Sequence, residues 1–338
     1  MTIAWIELGG GLFLAILTLR DVFETVVVPG ESRASLRVAR RSIVLLLPLW
    51  KLMRGRQGIS STFAPLVLVT SFFLWMLLLT IAFAMMAHAL RYSFAPPLPD
   101  FAQAIFLAGS GLVTIGLSET DALGAARWVV LASGFCGLGV MTMAVTYLLE
   151  VQSSLAARDS GLLKLRTSAG DPPSGLAILE KYAAIDNLDG LVDVLKDGRD
   201  WCAKVLQSHA AHPSLIYFRT VRTGAGWPAS LGALLDLALL VEHYCDLPAL
   251  RGRAVLLRED GARMAGELAA LLDLRPGDAA PEPIAHDALC RRLRAAGYRL
   301  REEIDAGAFE ALRGDLAAKV AVLADHLGKA VAPLIPRS

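Results

Sequence analysis

Between Arg56 and Arg91 the chain carries no Asp, Glu, Lys or Arg. An apolar helix needs about 20 residues to cross the hydrocarbon core of a bilayer, so this run predicts a membrane helix over Phe63–Leu90. Pro65 falls near its start, where a missing N–H costs little. A second uncharged run predicts another span over Trp128–Leu149. A third and weaker one, Ile3–Val28, holds Glu7 and ends in Arg20, Asp21 and Glu24. No basic stretch precedes it and no small-residue cleavage site follows, which disfavours a signal peptide. Arg20 and Asp21 read as an ion pair near the helix end.

The spans lie in the first part of the chain, and the charges lie in the second. Only 10 of the 33 basic and 8 of the 32 acidic residues occur up to Glu150. The whole is 55% hydrophobic with a mean hydropathy of +0.51, which excludes a disordered chain. A net charge of +1 without a basic block argues against nucleic-acid binding. Four unpaired-looking cysteines argue against a disulfide scaffold or zinc ribbon. The segment Glu31–Gln57 holds seven basic residues (Arg33, Arg37, Arg40, Arg41, Lys51, Arg54, Arg56) against Glu31 alone. By the positive-inside rule it is expected to be cytoplasmic, with the N-terminus outside and everything after Glu150 inside; the expected location, a separate expectation with the organism left open, is a bacterial inner membrane. Within it, Ser42–Met53 is too short to span. Its Trp50 and flanking cations fit a segment lying along the inner leaflet, with a cytoplasmic extension of the second helix as the alternative.

The connection from Arg91 to Arg127 is too apolar for an ordinary external loop. Asp100 stands as an N-cap with Gln103 at the capping-box position. Phe101–Gly109 is helix-compatible but far too short to span. Gly109-Ser110-Gly111 follows, then Leu112-Val113-Thr114-Ile115-Gly116-Leu117-Ser118-Glu119. A half-helix that enters the membrane and extended backbone that leaves it are tolerated only inside protein or along a water-filled cavity.

This order of outer helix, short helix, extended segment and inner helix resembles the pore module of the potassium channel superfamily. Thr114-Ile115-Gly116-Leu117-Ser118 aligns with the family's Thr-Val-Gly-Tyr-Gly filter, and Glu119 follows where Asp is usual. The resemblance covers Phe63–Glu150, less than a third of the chain. It implies a homotetramer whose backbone carbonyls strip water from a monovalent cation, potassium first. Two positions depart. Leu117 lacks the tethering phenol of Tyr, and Ser118 stands where a second Gly would take positive φ, which costs a non-glycine residue about 1 kcal/mol or more. Reduced selectivity is therefore open. So are a non-conducting signalling or adaptor protein and a subunit that needs a partner chain.

Asp100, Glu119 and Asp121 form a candidate outer mouth that concentrates cations, with Arg127 as a possible ion-pair partner. Gly134, Gly137 and Gly139 fall in the inner helix, where a hinge and close packing through small residues are both compatible. Gly137 matches the family's hinge best. Met141, Thr142, Val145 and Leu149 are the candidate cavity and gate. The first helix lacks regularly spaced arginines, so no voltage sensor is expected.

After a Gly/Pro-rich linker (156–175), residues 176–338 show apolar positions at three- and four-residue steps in Leu176–Ile185, Leu188–Gln207, Leu250–Leu274, Leu289–Ile304 and Phe309–Ala330. Ala229–Val241 fits a buried core helix. The fold class is thus all-α: residues 1–60 hold the first helix and the basic segment, 61–155 the pore module, and 176–338 a helical cytoplasmic domain for assembly or gating. No Gly-x-Gly-x-x-Gly, phosphate loop, HExxH or Ser/His/Asp pattern points to a cofactor or an enzyme. His209 and His212, with Cys202, His243 and Cys245 elsewhere, match no metal spacing. Arg219 and Arg222 beside Tyr217 and Phe218 suggest a surface cation pair or a pocket for an anionic ligand of unknown identity.

Overall fold

The computed structural model describes residues 2–27, 38, 41, 42, 46, 48, 63–218, 226–275 and 284–336. The seven basic residues of the Glu31–Gln57 segment, apart from Arg41, lie outside them, as do Arg219 and Arg222. Of the Ser42–Met53 stretch only Ser42, Leu46 and Pro48 are described. Ten helices and one pair of two-residue strands make up the regular structure among the described residues. The contacts divide the chain into two units that change over between Gln152 and Ser153.

The first unit is built on α1 (Thr2–Val26) and α2 (Phe63–Ala89), followed by a 3-10 turn at Arg91–Ser93. Then come β1 (Phe94–Ala95), α3 (Phe101–Leu112), β2 (Asp121–Ala122) and α4 (Ala125–Ala169). The strands pair antiparallel, Phe94 opposite Ala122. Three helices, Thr2–Val26, Leu66–Ala89 and Ala125–Ala169, are long and apolar enough to cross a membrane. Ala15 and Val22 of α1 and Leu79, Ala82 and Phe83 of α2 share one core. A side chain on Gly11 would come within 2.5 Å of the Ala82 carbonyl oxygen, so this crossing needs glycine. Ile3, Phe13 and Ile16 of α1 and Phe73 and Leu77 of α2 remain exposed, as lipid-facing side chains of a membrane protein do.

The charges within these helices find partners that neighbour-by-neighbour reading misses. Arg20 and Asp21 do not pair, because adjacent helical residues point about 100° apart. Arg20 instead meets Glu24 at 2.6 Å, one turn on. Asp21 is fully buried and accepts from the Trp75 indole at 2.8 Å and from the Val38 amide at 3.1 Å. Glu7 meets His88 Nδ1 at 2.9 Å.

Helix α4 runs through most of the stretch read as a linker. Residues 156–169 are mainly Ala, Leu, Arg, Lys and Ser with no proline, and they stay helical until Gly170 turns to φ 80° ahead of Pro172 and Pro173.

The second unit packs six further helices: α5 (Gly175–Ala184), α6 (Asp189–Ala211), α7 (Gly226–His243), α8 (Pro248–Leu271), α9 (His286–Ala295) and α10 (Ala306–His326). Helix α7 is the centre, with nearly every residue from Gly226 to Val241 buried under α5, α8 and α10. Asp236, within it, is held by the Arg313 guanidinium of α10 at 2.9 Å. The helix expected to reach Ile304 ends at Ala295, since Gly297 adopts φ 92°. The strap beyond bridges back to α7's end, Cys245 against Leu300.

His209 on α6 is buried, its Nδ1 on the Val205 carbonyl at 2.9 Å. Burial, with nearby Arg158 adding to it, pushes its pKa down to about 3. A folded-state value below the unfolded one near 6.5 gives stability that is complete above that pH and lost as pH falls towards 3. Between pH 6 and 4 the unfolding free energy should fall with a one-proton slope approaching about 1.4 kcal/mol per pH unit from this group, and the thermal midpoint should fall with it. The variant His209→Leu should lack that contribution, and an unchanged slope in it would refute the assignment.

Candidate functional site

Helix α3 begins where Asp100 caps it, Oδ1 accepting from the Gln103 amide at 2.8 Å. Its inner face, Ala104, Leu107, Ala108 and Leu112, is buried in the core shared with α2. At its far end it meets α4 through small residues. A Cβ on Gly111 would lie 2.7 Å from Ser133 Oγ, and one on Gly137 would collide with the Leu112 carbonyl. Gly134 has ordinary room, 3.8 Å from the Gly111 oxygen, and Gly139 faces open space. Of the three inner-helix glycines, the structure gives Gly137 a packing requirement.

The helix closes in a Schellman turn. Thr114 N–H donates to the Gly111 carbonyl at 3.0 Å and Ile115 N–H to the Ser110 carbonyl at 2.9 Å, with Thr114 left-handed at φ 59°. This is the position that glycine usually fills. A β-branched residue there is strained by about 1–3 kcal/mol. Gly116 N–H also reaches the Ser110 carbonyl, at 3.1 Å, and Gly116 is again left-handed at φ 70°.

These three bonds set the direction of the backbone carbonyls. In a trans peptide the N–H and the preceding C=O point opposite ways. Since the amides of Thr114, Ile115 and Gly116 all turn in towards α3, the carbonyls of Val113, Thr114 and Ile115 all turn out. Among the described residues none of these three oxygens accepts a hydrogen bond. Residues 113–119 are exposed, including the apolar side chains of Val113, Ile115 (63%) and Leu117 (56%). The Leu117 carbonyl behaves differently: it lies 2.8 Å from the hydroxyl of buried Ser110 and so turns inward.

Ser118 does not take positive φ; among the described non-glycine residues only Thr114, Asp186 and Asp273 do. Its hydroxyl donates to the Thr120 carbonyl at 2.6 Å and accepts from the Thr120 amide at 3.0 Å, closing a local turn. The strain foreseen at Ser118 thus falls on Thr114. Asp100, Glu119 and Asp121 are all exposed. Arg127 pairs with none of them; its Nε donates to the Ala122 carbonyl at 2.9 Å.

On α4 the exposed positions Trp128 (72%), Leu131, Phe135 (67%), Leu138, Thr142, Val145 and Leu149 alternate by three and four residues. That spacing draws one straight stripe along the helix. Thr142, Val145 and Leu149 belong to it; Met141 is only half-exposed and lies off it. The lower part of this stripe is legible in the apolar spacing of the sequence, whereas Phe135 and Ser110 lie outside the candidates it yields. A serine four residues before Thr114, in the last turn of an otherwise apolar helix, was the available signal for the latter.

In the second unit a cavity of about 540 Å³ opens between the start of α8 and the 299–303 strap. Arg251, Arg299 and Arg301 line it together with Asp246, Glu302 and Glu303, which leaves it without a net charge. Among the described residues no three His, Cys, Asp or Glu side chains converge to hold a metal ion. Cys136, Cys202, Cys245 and Cys290 are free thiols, and burial pushes those of Cys202 and Cys245 up to about 12. No family model, curated protein or solved structure matches the chain.

Proposed function

We propose that the chain is one subunit of a tetrameric, potassium-channel-like pore for monovalent cations. The observation that carries this reading is the row of outward carbonyls at Val113, Thr114 and Ile115, closing a helix too short to span between two helices long enough to do so. At membrane depth each unpaired carbonyl costs several kcal/mol. Partly dehydrated cations on the axis of a ring of such segments satisfy them, and the ion's hydration shell is replaced in return. The exposed apolar side chains of 113–117 and the upper end of the α4 stripe, Trp128 and Leu131, are then covered by neighbouring copies. Four is the number the potassium-channel resemblance implies.

In this reading the ion passes Glu119, Asp121 and Asp100 at an external mouth, whose carboxylates raise the local cation concentration. It crosses the carbonyl ring and enters a water-filled cavity lined by Phe135, Thr142, Val145 and Leu149. The C-terminal end of α3 directs the negative pole of its dipole towards that cavity. The N-terminus is outside and the helical second unit cytoplasmic, in a bacterial inner membrane, where that unit serves assembly or gating. No covalent chemistry, cofactor or nucleic acid enters the scheme.

The test is the purified protein in a planar bilayer with potassium on one side and sodium on the other. A cation current with a defined reversal potential, and a crosslinking ladder in detergent that stops at four, are expected. A stable monomer or dimer without current would refute the pore.

A further inference from the structure

We propose that Ser110 sets the selectivity of this pore by holding the Leu117 carbonyl out of the ion path; the inference rests on the pore reading above. Ser110 sits buried in the last turn of α3 and anchors three consecutive residues of the outer segment, Ile115, Gly116 and Leu117. Its carbonyl accepts from Ile115 and Gly116. Its hydroxyl lies 2.8 Å from Leu117 O and 3.0 Å from Leu107 O. One hydroxyl carries one proton. Leu107 O already belongs to the helical ladder, whereas Leu117 O has no other partner among the described residues, so the proton goes to Leu117.

The two halves of Ser110 therefore act in opposite senses. The carbonyl draws in two amides and turns the oxygens of Thr114 and Ile115 outward. The hydroxyl draws in an oxygen, that of Leu117, and removes it from the set an ion can meet. The Leu117 side chain is exposed and has no polar group, so the tether at this position is made through its main chain. Discrimination between potassium and sodium depends on the number and field strength of the coordinating carbonyls. A segment with its outer carbonyl withdrawn discriminates weakly.

The test compares reversal potentials of the wild type, Ser110→Ala and Ser110→Thr under the same potassium/sodium gradient. Alanine keeps the main-chain carbonyl that anchors 115 and 116 but frees Leu117 O. The potassium-to-sodium permeability ratio should rise about tenfold, a shift of about 59 mV in reversal potential for a univalent ion. Threonine retains the hydroxyl and should keep the wild-type ratio. Should the alanine variant not assemble, Ser110→Cys decides: its weak thiol donor should give a ratio between wild type and tenfold above it. A conducting alanine variant, or failing it a conducting cysteine variant, whose ratio is unchanged or lower overturns the assignment to Ser110 and leaves the pore standing. Absence of current from the wild type overturns the pore, and this inference with it.

Discussion

Gly137→Ala is expected to destabilise the protein by about 3 kcal/mol, the upper end of the usual cost of overpacking, and, on the pore proposed above, to abolish its current. The added methyl would enter the space of the Leu112 carbonyl group, with the carbonyl carbon at 2.6 Å and the Cα at 2.7 Å. Those atoms are main chain at the last turn of α3 and cannot swing aside as the tip of a side chain can. Displacing them moves the Schellman turn that directs the carbonyls of Val113, Thr114 and Ile115. Gly139→Ala is the internal control. Its methyl meets nothing within 4 Å, and removal of a mid-helix glycine should stabilise by up to ~1 kcal/mol. Thermal midpoints of the detergent-solubilised protein, read beside bilayer currents, separate the two. If Gly137 acts chiefly as a hinge, the alanine variant keeps the wild-type midpoint and changes only gating, which would refute the packing role.

How far the sequence foretells this structure depends on the range of each interaction. The spans of α2 and α4 are legible because an absence of charge over 20 or more residues has one physical reading. The N-cap at Asp100 is legible because it acts over three residues. The end of α3 is not, since its capping position holds Thr114, a residue that local propensity argues against. Only packing against α4 at Gly137 and the bonds to Ser110 select that turn. The linker shows the same limit from the other side. Gly170, Pro172 and Pro173 mark the true break, but helix-forming residues before them carry α4 further than the hydropathy does. In the second unit the helices follow their apolar periodicity, whereas α9 stops early because one residue, Gly297, takes a backbone conformation the pattern does not encode.

Asp21 is the clearest case of long-range information, and its removal should have the largest effect in the first unit. Asp21→Leu is expected to cost about 2–6 kcal/mol. A single buried carboxylate oxygen serves both the Trp75 indole, 54 residues away, and the Val38 amide. Without it, two donors are left unpaired where water does not reach, at about 1–3 kcal/mol each. Trp75→Phe removes one donor and keeps the acceptor, so it should cost less. In the double variant Asp21→Leu/Trp75→Phe only the Val38 amide remains bare, and the loss should fall short of the sum of the two single losses by 0.5–3 kcal/mol, the range for residues in direct contact. Unfolding midpoints of the three variants in one detergent give that coupling energy. Strict additivity would mean that the Asp21–Trp75 bond does not form in the membrane-embedded protein. Non-additivity would show that an intramembrane acid, which by default suggests ion or proton transport, here ties α1 to α2 and to Val38 in the intervening segment. Its Oδ2 is held by two donors fixed by packing, while its arginine neighbour is engaged elsewhere, on Glu24.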